Sequence, residues 1–397
     1  MAGRIRRLLS AISAPPARFR VGPFREGAFH SPLHTPRVAT WLGIALGITF
    51  SLCFATGLLS HAIQNPPDWF SWPPRPAGLY RLTQGLHVAT GIASIPLLLA
   101  KLWTVYPRLW RWPPVESVAH ALERASLLPL VGGAVFLLFS GVANIALWYP
   151  WRFFFPTAHY WAAWITIGAL VVHVGAKAGL IVASLRSPAP EPPSPDGALT
   201  RRRFLSAVGA AVGVLTLTTL GQTLRPLARL GLLAPRVPNV GPQGLPVNKT
   251  ARSARVGTLA LDPGYRLSVE GAVGRRLSLS LEELRRLPQH EASLPISCVE
   301  GWSADAVWRG VRVRDLLAAA GASPSAHVRV ESLQPRGKYR RSTLNPGHAN
   351  DPDTLLAVEL NGEPLALDHG FPVRLIGPNR PGVMQTKWVS RLVVGAR

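Results

Sequence analysis

Cys298 closes the short apolar stretch Pro295-Ile-Ser-Cys298 and opens the turn Val-Glu-Gly-Trp302-Ser, with Trp308-Arg-Gly-Val-Arg-Val-Arg-Asp-Leu-Leu317 close behind. A thiol that ends an apolar strand is by default a small buried hydrophobe. Its other use is as a thiolate, a soft ligand that suits a metal already held by sulfur. The second cysteine, Cys53, lies in an apolar run, so a disulfide between the two is not expected. A separate constellation consists of imidazoles. His61, His87, His159 and His173 fall within or at the ends of long apolar stretches, where an ionisable side chain usually has a function. His159 and His173 lie 14 residues apart on one predicted helix, about 21 Å along its axis and about 40° from a shared face.

The elements that must position these groups divide the chain in two. Mean hydropathy is +0.19, yet the 397 residues carry a net charge of +23. Up to residue 235 there are 21 Lys and Arg against 6 Asp and Glu, and after it 22 against 14. Basic loops beside apolar helices explain this better than nucleic-acid binding, because exposed aromatics are not interleaved with the cations. Apolar stretches at 38–63, 86–105, 127–149 and 160–185 each have the roughly 20 residues needed to cross a ~30 Å hydrocarbon core. A fifth, 204–220, is shorter and richer in Ala, Gly and Thr. Segments 1–37, 106–126 and 186–203 hold 14 Lys and Arg, whereas loops 64–85 and 150–159 hold three, Arg75, Arg81 and Arg152. The positive-inside rule then puts the N-terminus in the cytoplasm and everything after about residue 221 outside. Trp69, Trp72, Tyr149, Trp151, Tyr160 and Trp161 would form the interfacial belt on that outer side.

These signals predict a four-helix membrane domain over 1–186, a Pro-rich cytoplasmic linker over 187–203, a fifth transmembrane helix over 204–221 and a separate polar domain over 240–397. Within the linker, Thr200-Arg-Arg-Arg-Phe-Leu-Ser206 resembles the twin-arginine export signal, Ser/Thr-Arg-Arg-x-Phe-Leu. An ordinary stop-transfer helix flanked by arginines is the plainer alternative. Export of a folded domain makes sense where a cofactor is inserted in the cytoplasm. The last part reads as mixed α+β, with strands at 265–271, 328–332, 355–360, 373–376 and 388–394 and helices at 280–287 and 313–320.

The run Cys298-Val-Glu-Gly-Trp302-Ser resembles the molybdenum-binding segment of the sulfite oxidase family, in particular its periplasmic methionine sulfoxide reductase branch. The resemblance covers about 255–397. It continues through Leu355-Leu-Ala-Val-Glu-Leu-Asn-Gly-Glu-Pro-Leu365, His369-Gly-Phe-Pro-Val-Arg374 and Gln385-Thr-Lys387-Trp388. It implies a molybdenum-molybdopterin cofactor with Cys298 as its thiolate ligand. His369, Arg374, Asn379, Arg380 and Lys387 become candidates for holding the phosphate-bearing pterin, the alternative for each arginine being a solvated surface charge. The sequence ends directly after this core, so the immunoglobulin-like dimerisation domain of the sulfite oxidases is not expected. The arginine cluster that holds sulfite in those enzymes cannot be assigned.

The apolar half is similar to the cytochrome b subunits of membrane-bound formate dehydrogenases and hydrogenases, which carry b haem. By that resemblance His87 and His159 would ligate one haem iron near the outer face. His173 would serve a second, with His61 or His34 as partner, although His61 could equally be an interfacial histidine. His120 reads as a surface residue. Lys101 and Lys177 would snorkel to headgroups or hold a haem propionate or quinone. Together these readings describe an oxygen-atom-transfer enzyme in the cytoplasmic membrane, its catalytic domain extracytoplasmic. It would act on a small oxo-acid or sulfoxide-type substrate and exchange electrons with the quinone pool. The rivals are a cofactor-free interaction or electron-carrier protein, and a plain anchor without haem.

Overall fold

A computed structural model describes residues 22–25, 28–29, 31, 33–186, 200–220, 223, 225–234 and 236–395. Of the predicted linker over 187–203, residues 187–199 lie outside the described residues, as do the arginines of 1–21. Five helices are long and apolar enough to cross a membrane: α1 (Pro36–Gln64), α2 (Leu79–Val105), α3 (Val118–Ile145), α4 (Phe155–Arg186) and α5 (Arg201–Leu220). Large apolar side chains such as Ile48, Leu99, Leu128, Ile165, Val171 and Val214 stand exposed on them.

Several boundaries differ from expectation, among them the starts of α2, α3 and α5. Helix α2 starts at Leu79 rather than 86, because its first turns carry Arg81, Thr83 and Gln84, whose polarity hides them from a hydropathy window. Helix α3 starts at Val118 rather than 127 because Ser117 caps it, accepting from the His120 backbone N–H at 3.1 Å. His120 therefore belongs to the first turn of α3. Thr200 plays the same part for α5, accepting from the Arg203 N–H at 3.3 Å, so the arginine triplet forms the first turn of a helix.

The chain separates into two compact units, one made of Met1–Ala55 and Ala89–Thr216, the other of Thr56–Val88 and Leu217–Arg397. In the first, Val38 and Leu42 of α1 pack with Leu97 and Ala100 of α2 and with Phe204, Leu205 and Val208 of α5. Helices α3 and α4 pair closely: a side chain at Gly133 would collide with Thr166, and Glu123 meets Lys177 at 2.5 Å.

The second unit contains two short helices, α6 (Ala251–Ala254) and α7 (Gly257–Ala260), and then the strand-rich domain. One sheet has the order β2 (Leu277–Ser280), β1 (Arg266–Gly271), β10 (Val389–Val394), β5 (Val328–Ser332), β6 (Arg341–Leu344). The other runs β3 (His290–Ser297), β4 (Ser303–Arg312), β7 (Leu355–Leu360), β8 (Glu363–Pro364), with β9 (Arg374–Ile376) also on β7. Helix α8 (Leu281–Arg286) starts with a capping box in which Ser280 and Glu283 satisfy each other's backbone N–H groups. Helices α9 (Val313–Ala319) and α10 (Pro346–Asn350) complete the domain.

Strand β7 is the hinge of the packing because both its faces are buried. Leu356 and Val358 join the core of Leu267, Val269, Val330, Leu375 and Leu392. Leu355 and Ala357 point to the other side, with Leu294, Ile296, Trp308 and Cys298. Strand β4 escapes sequence detection since its inward positions include Ala304 and Ala306, too small to mark an apolar period between Asp305 and Arg309.

Candidate functional site

Strands β3 and β4 form an antiparallel pair with Ser297 opposite Ser303, and the five residues between them make the turn that presents Cys298. The Cys298 N–H donates to the Trp302 carbonyl at 2.8 Å, and the Gly301 N–H to the Cys298 carbonyl at 3.1 Å. Gly301 adopts φ +96°, and a Cβ there would lie 2.7 Å from Val88, so both conformation and space require glycine. Cys298 is 4% exposed. Its Sγ accepts from Asn248 Nδ2 at 3.0 Å, while Asn248 Oδ1 accepts from Arg236 Nε at 3.4 Å. Burial pushes the thiol pKa up, and the neighbouring Glu300 carboxyl pushes it further. A thiolate persists in such a place when a metal takes the proton's position. Glu300 is itself buried against Trp302, whose Nε1 donates to it at 3.2 Å, and burial raises its pKa to about 7.

Two cations, Arg374 and Arg380, stand buried in the same domain, and a third, Lys387, is half-buried. Arg374, at the start of β9, is 3% exposed; its Nη1 donates to the His369 carbonyl at 3.1 Å and its guanidinium lies 5.1 Å from the Trp308 ring centroid. Arg380 donates to the Thr343 and Met384 carbonyls, each at 3.1 Å. Lys387 Nζ donates to the Asp368 and Lys249 carbonyls at 2.6 and 3.0 Å. Burial lowers Arg374 to about 9 and Arg380 to about 10, and drives Lys387 down too, with Arg374 adding repulsion. Gly370, at φ +114°, lets Arg374 and Lys387 approach: a Cβ there would be 3.2 Å from Arg374 Cβ and from Lys387 Cα. The loop carrying Arg380 runs beside the cysteine turn, through a parallel bridge between Ser297 and Pro381.

Among the described residues none of these three cations makes an ion pair with a carboxylate, and the Nε atoms of Arg374 and Arg380 are buried without a partner. Buried charges are normally paired. Two buried guanidinium forks without a carboxylate partner, with the Lys387 ammonium in the same domain as the buried thiol, suit a multiply charged phosphate group on a metal-bearing ligand. The residues present therefore fit the molybdopterin that the sequence resemblance implies.

Two of the five expected cofactor contacts have other occupations. The Asn379 amide is used within the fold: its Oδ1 accepts from the Tyr80 N–H and its Nδ2 donates to the Pro73 carbonyl, both at 2.7 Å. His369 is 1% exposed, with Nε2 2.7 Å from the Pro242 carbonyl, and burial lowers its pKa to about 4. In this environment the imidazole is neutral, and its backbone oxygen accepts from Arg374 Nη1. Conversely, Asn248, Arg236 and Glu300 surround the thiol without having been singled out. Glu300 sat inside the quoted motif, while for Asn248 the usable signal was Thr250, the N-cap of α6, which fixes the chain just after it.

The depressed histidines make acid sensitivity predictable. His369 and His348, whose burial lowers its pKa to about 3, are neutral when folded but take up protons near pH 6.5 when unfolded. The unfolded state thus binds more protons between those values, and stability falls as pH drops from about 6.5 towards 4. Each group contributes on the order of 1.4 kcal/mol per pH unit in that window. Thermal melting at pH 7 and 5 should show the drop, and His369→Gln should shrink it; an unchanged difference would refute the assignment.

The apolar half shows one pattern twice. In the second unit, His87 Nδ1 lies 3.4 Å from the Thr56 hydroxyl, and a Cβ on the adjacent Gly57 would be 2.8 Å from the ring. In the first unit, His159 Nδ1 lies 3.1 Å from the Ser140 hydroxyl, with the Cβ position of the adjacent Gly141 3.9 Å from the ring. Each imidazole is thus held by a hydroxyl–glycine pair on a neighbouring helix, the kind of support that orients a ligating histidine. His173 follows on α4 with its Nδ1 buried and unpartnered, and both ring nitrogens of His34 are buried and unpartnered as well. His61 occupies the last turn of α1. Among the described residues, no three His, Cys, Asp or Glu side chains gather into a metal site.

Comparison with known proteins agrees with the second unit's geometry. Residues 256–397 match the family described as the oxidoreductase molybdopterin binding domain. The mitochondrial sulfite oxidase of Rattus norvegicus is 39% identical over 162 residues, covering 34% of this chain and 30% of that protein. The uncharacterized oxidoreductase YuiH of Bacillus subtilis is 35% identical over 126 residues, covering 32% of this chain and 62% of that protein. Among solved structures, the sulfane dehydrogenase SoxCD of Paracoccus pantotrophus overlaps 35% of this chain and 40% of its own, with 26% identity and a TM-score of 0.31. The chain spans about a third of the length of the sulfite oxidase it matches. Residues 256–397 therefore match the oxidoreductase molybdopterin binding domain family, and over this part the chain is similar to the sulfite oxidases.

Proposed function

We propose that this chain is a membrane-bound oxidoreductase whose molybdopterin domain works outside the cytoplasmic membrane and exchanges electrons with the quinone pool through b haem. The observation that carries the catalytic half is the pair of buried guanidiniums Arg374 and Arg380, neither with a carboxylate partner, in the domain that buries Cys298. A cofactor-free interaction module would have no reason to retain two such charges, each of which disfavours folding unless an anion offsets it. When bound, the molybdenum cofactor supplies two-electron oxygen-atom transfer. Cys298 gives its thiolate to the metal, the three cations hold the phosphate end, and Asn248 orients the sulfur. Glu300, poised near neutrality, holds or releases a proton beside it. A small oxo-acid or sulfoxide-type molecule is the substrate class that this chemistry suits.

The membrane half rests on the five apolar helices, on the basic bias of segments 1–37, 106–126 and 186–203, and on the twin-arginine sequence at the start of α5. In this reading, Thr56 orients His87 and Ser140 orients His159 as b haem ligands, and His173, His61 and His34 are further candidates. Metal analysis of the purified chain, together with a reduced-minus-oxidised spectrum, tests both halves. Molybdenum with a haem band supports the proposal; haem alone supports a carrier, and molybdenum alone a plain anchor. His87→Ala should abolish one haem band, and an unaltered spectrum would reassign the ligand.

A further inference from the structure

The turn that presents Cys298 does not rest on its own domain alone. Gln84, in the second turn of α2, donates from Nε2 to the Val299 carbonyl at 2.6 Å and is 5% exposed. Thr223 donates to the Gly301 carbonyl at 2.5 Å. Gly301 packs on Val88, and Gly85 leaves room for Thr223, whose Cγ2 would be 2.8 Å from a Cβ at position 85. Thus Gln84, Gly85 and Val88 form a seat on α2 for residues 299–301. His87 lies on the same two turns, three residues beyond Gln84, with its ring against Thr56 and Gly57. From Cys298 to His87 the connection is the Cys298–Val299 peptide, one hydrogen bond and one helical turn.

We infer that Gln84 is a positioning residue that ties the turn presenting Cys298 to the helix presenting His87, and that electrons pass between the two sites along this tie. The inference rests on the reading of Cys298 and His87 given under Proposed function. With both groups bound, electrons would cross one at a time, one group losing what the other gains, and Gln84 would serve by fixing the turn to the helix. No proton or atom travels along the tie. A buried amide on a backbone carbonyl suits this task, since it is rigid, uncharged in both redox states and excludes water from the junction.

The test uses the full chain, purified in detergent and loaded with molybdenum and haem. A laser flash with 5-deazariboflavin and a sacrificial donor delivers an electron to the haem, whose absorbance then relaxes as the electron equilibrates with molybdenum. Gln84→Met, close in shape but without the donor, is expected to slow that first-order relaxation by about tenfold or more, with molybdenum content, haem spectrum and Mo(V) EPR signal as in the parent. Thr223→Val loosens the same turn but leaves the α2 tie, and its relaxation should stay near the parent's. A parental rate in Gln84→Met overturns the inference, and so does equal slowing by Thr223→Val, which would reduce Gln84 to a generic support of the turn. Should Gln84→Met fail to load, Gln84→Asn, whose amide is a methylene too short, replaces it under the same criterion. Absence of molybdenum or haem from the parent itself refutes the underlying function instead.

Discussion

Cys298→Ser is expected to abolish turnover and leave the haem spectrum as it is in the parent. The turn around the residue is built from backbone bonds, Cys298 N–H to the Trp302 carbonyl and Gly301 N–H to the Cys298 carbonyl, and neither involves the sulfur. A serine hydroxyl can also accept from Asn248 Nδ2, which now donates to Sγ at 3.0 Å. The change in folding stability should therefore be about 1 kcal/mol, the size of one ordinary hydrogen bond. What disappears is a soft, polarizable ligand, replaced by a hard oxygen with a much higher pKa. Turnover is measured beside the difference spectrum and a thermal melt. Parental activity with an intact fold would remove Cys298 from the metal.

Arg374→Met separates a cofactor anchor from a structural arginine. In the loaded protein, losing the guanidinium should weaken cofactor retention by about ten- to a hundredfold, read as molybdenum and pterin remaining after dialysis. In protein from cells that cannot make the cofactor, the same substitution should leave the melting temperature unchanged or raise it. There Arg374 is a buried cation with no carboxylate partner and an unsatisfied Nε, and replacing buried charge by an apolar side chain of similar volume is often neutral or favourable. A structural arginine gives the opposite result, because its carbonyl bond to His369 and its stacking on Trp308 would then dominate. Equal destabilisation with and without cofactor would sink the anchoring role.

Much of the framework was legible in the residues. Apolar runs marked the five helices since length and hydropathy are local properties, and the strands at 328–332 and 355–360 were located to the residue. Cys298 stood out because strand end, turn glycine and aromatic neighbours sit within a few positions of one another. Helix starts were misjudged where polar first turns carry the contacts, as at Leu79, or where a cap rather than hydropathy sets the start, as at Val118. Strand β4 was missed because alanine is too small to announce an inward face.

The partnership of polar atoms could not be read in advance. Asn379 and Arg380 are neighbours of similar appearance in the sequence. Yet Asn379 gives its amide to Tyr80 and Pro73, about 300 positions away, whereas Arg380 keeps a buried Nε unpartnered. His369 looked like a cation and is held neutral by burial. The loop between α1 and α2 read as a plain outer connection, but Arg75 pairs with Asp351 and Asp353, and Trp72 donates to the Asn379 carbonyl at 2.8 Å. By itself the sequence determined which segments are apolar, which alternate, and which sulfur has the neighbours of a ligand. Only the tertiary structure decided which buried charges lack a counter-ion and which side chains support the cysteine turn. Hydrophobic period is written along the chain, whereas the compensation of a charge depends on groups that folding alone brings within hydrogen-bonding reach.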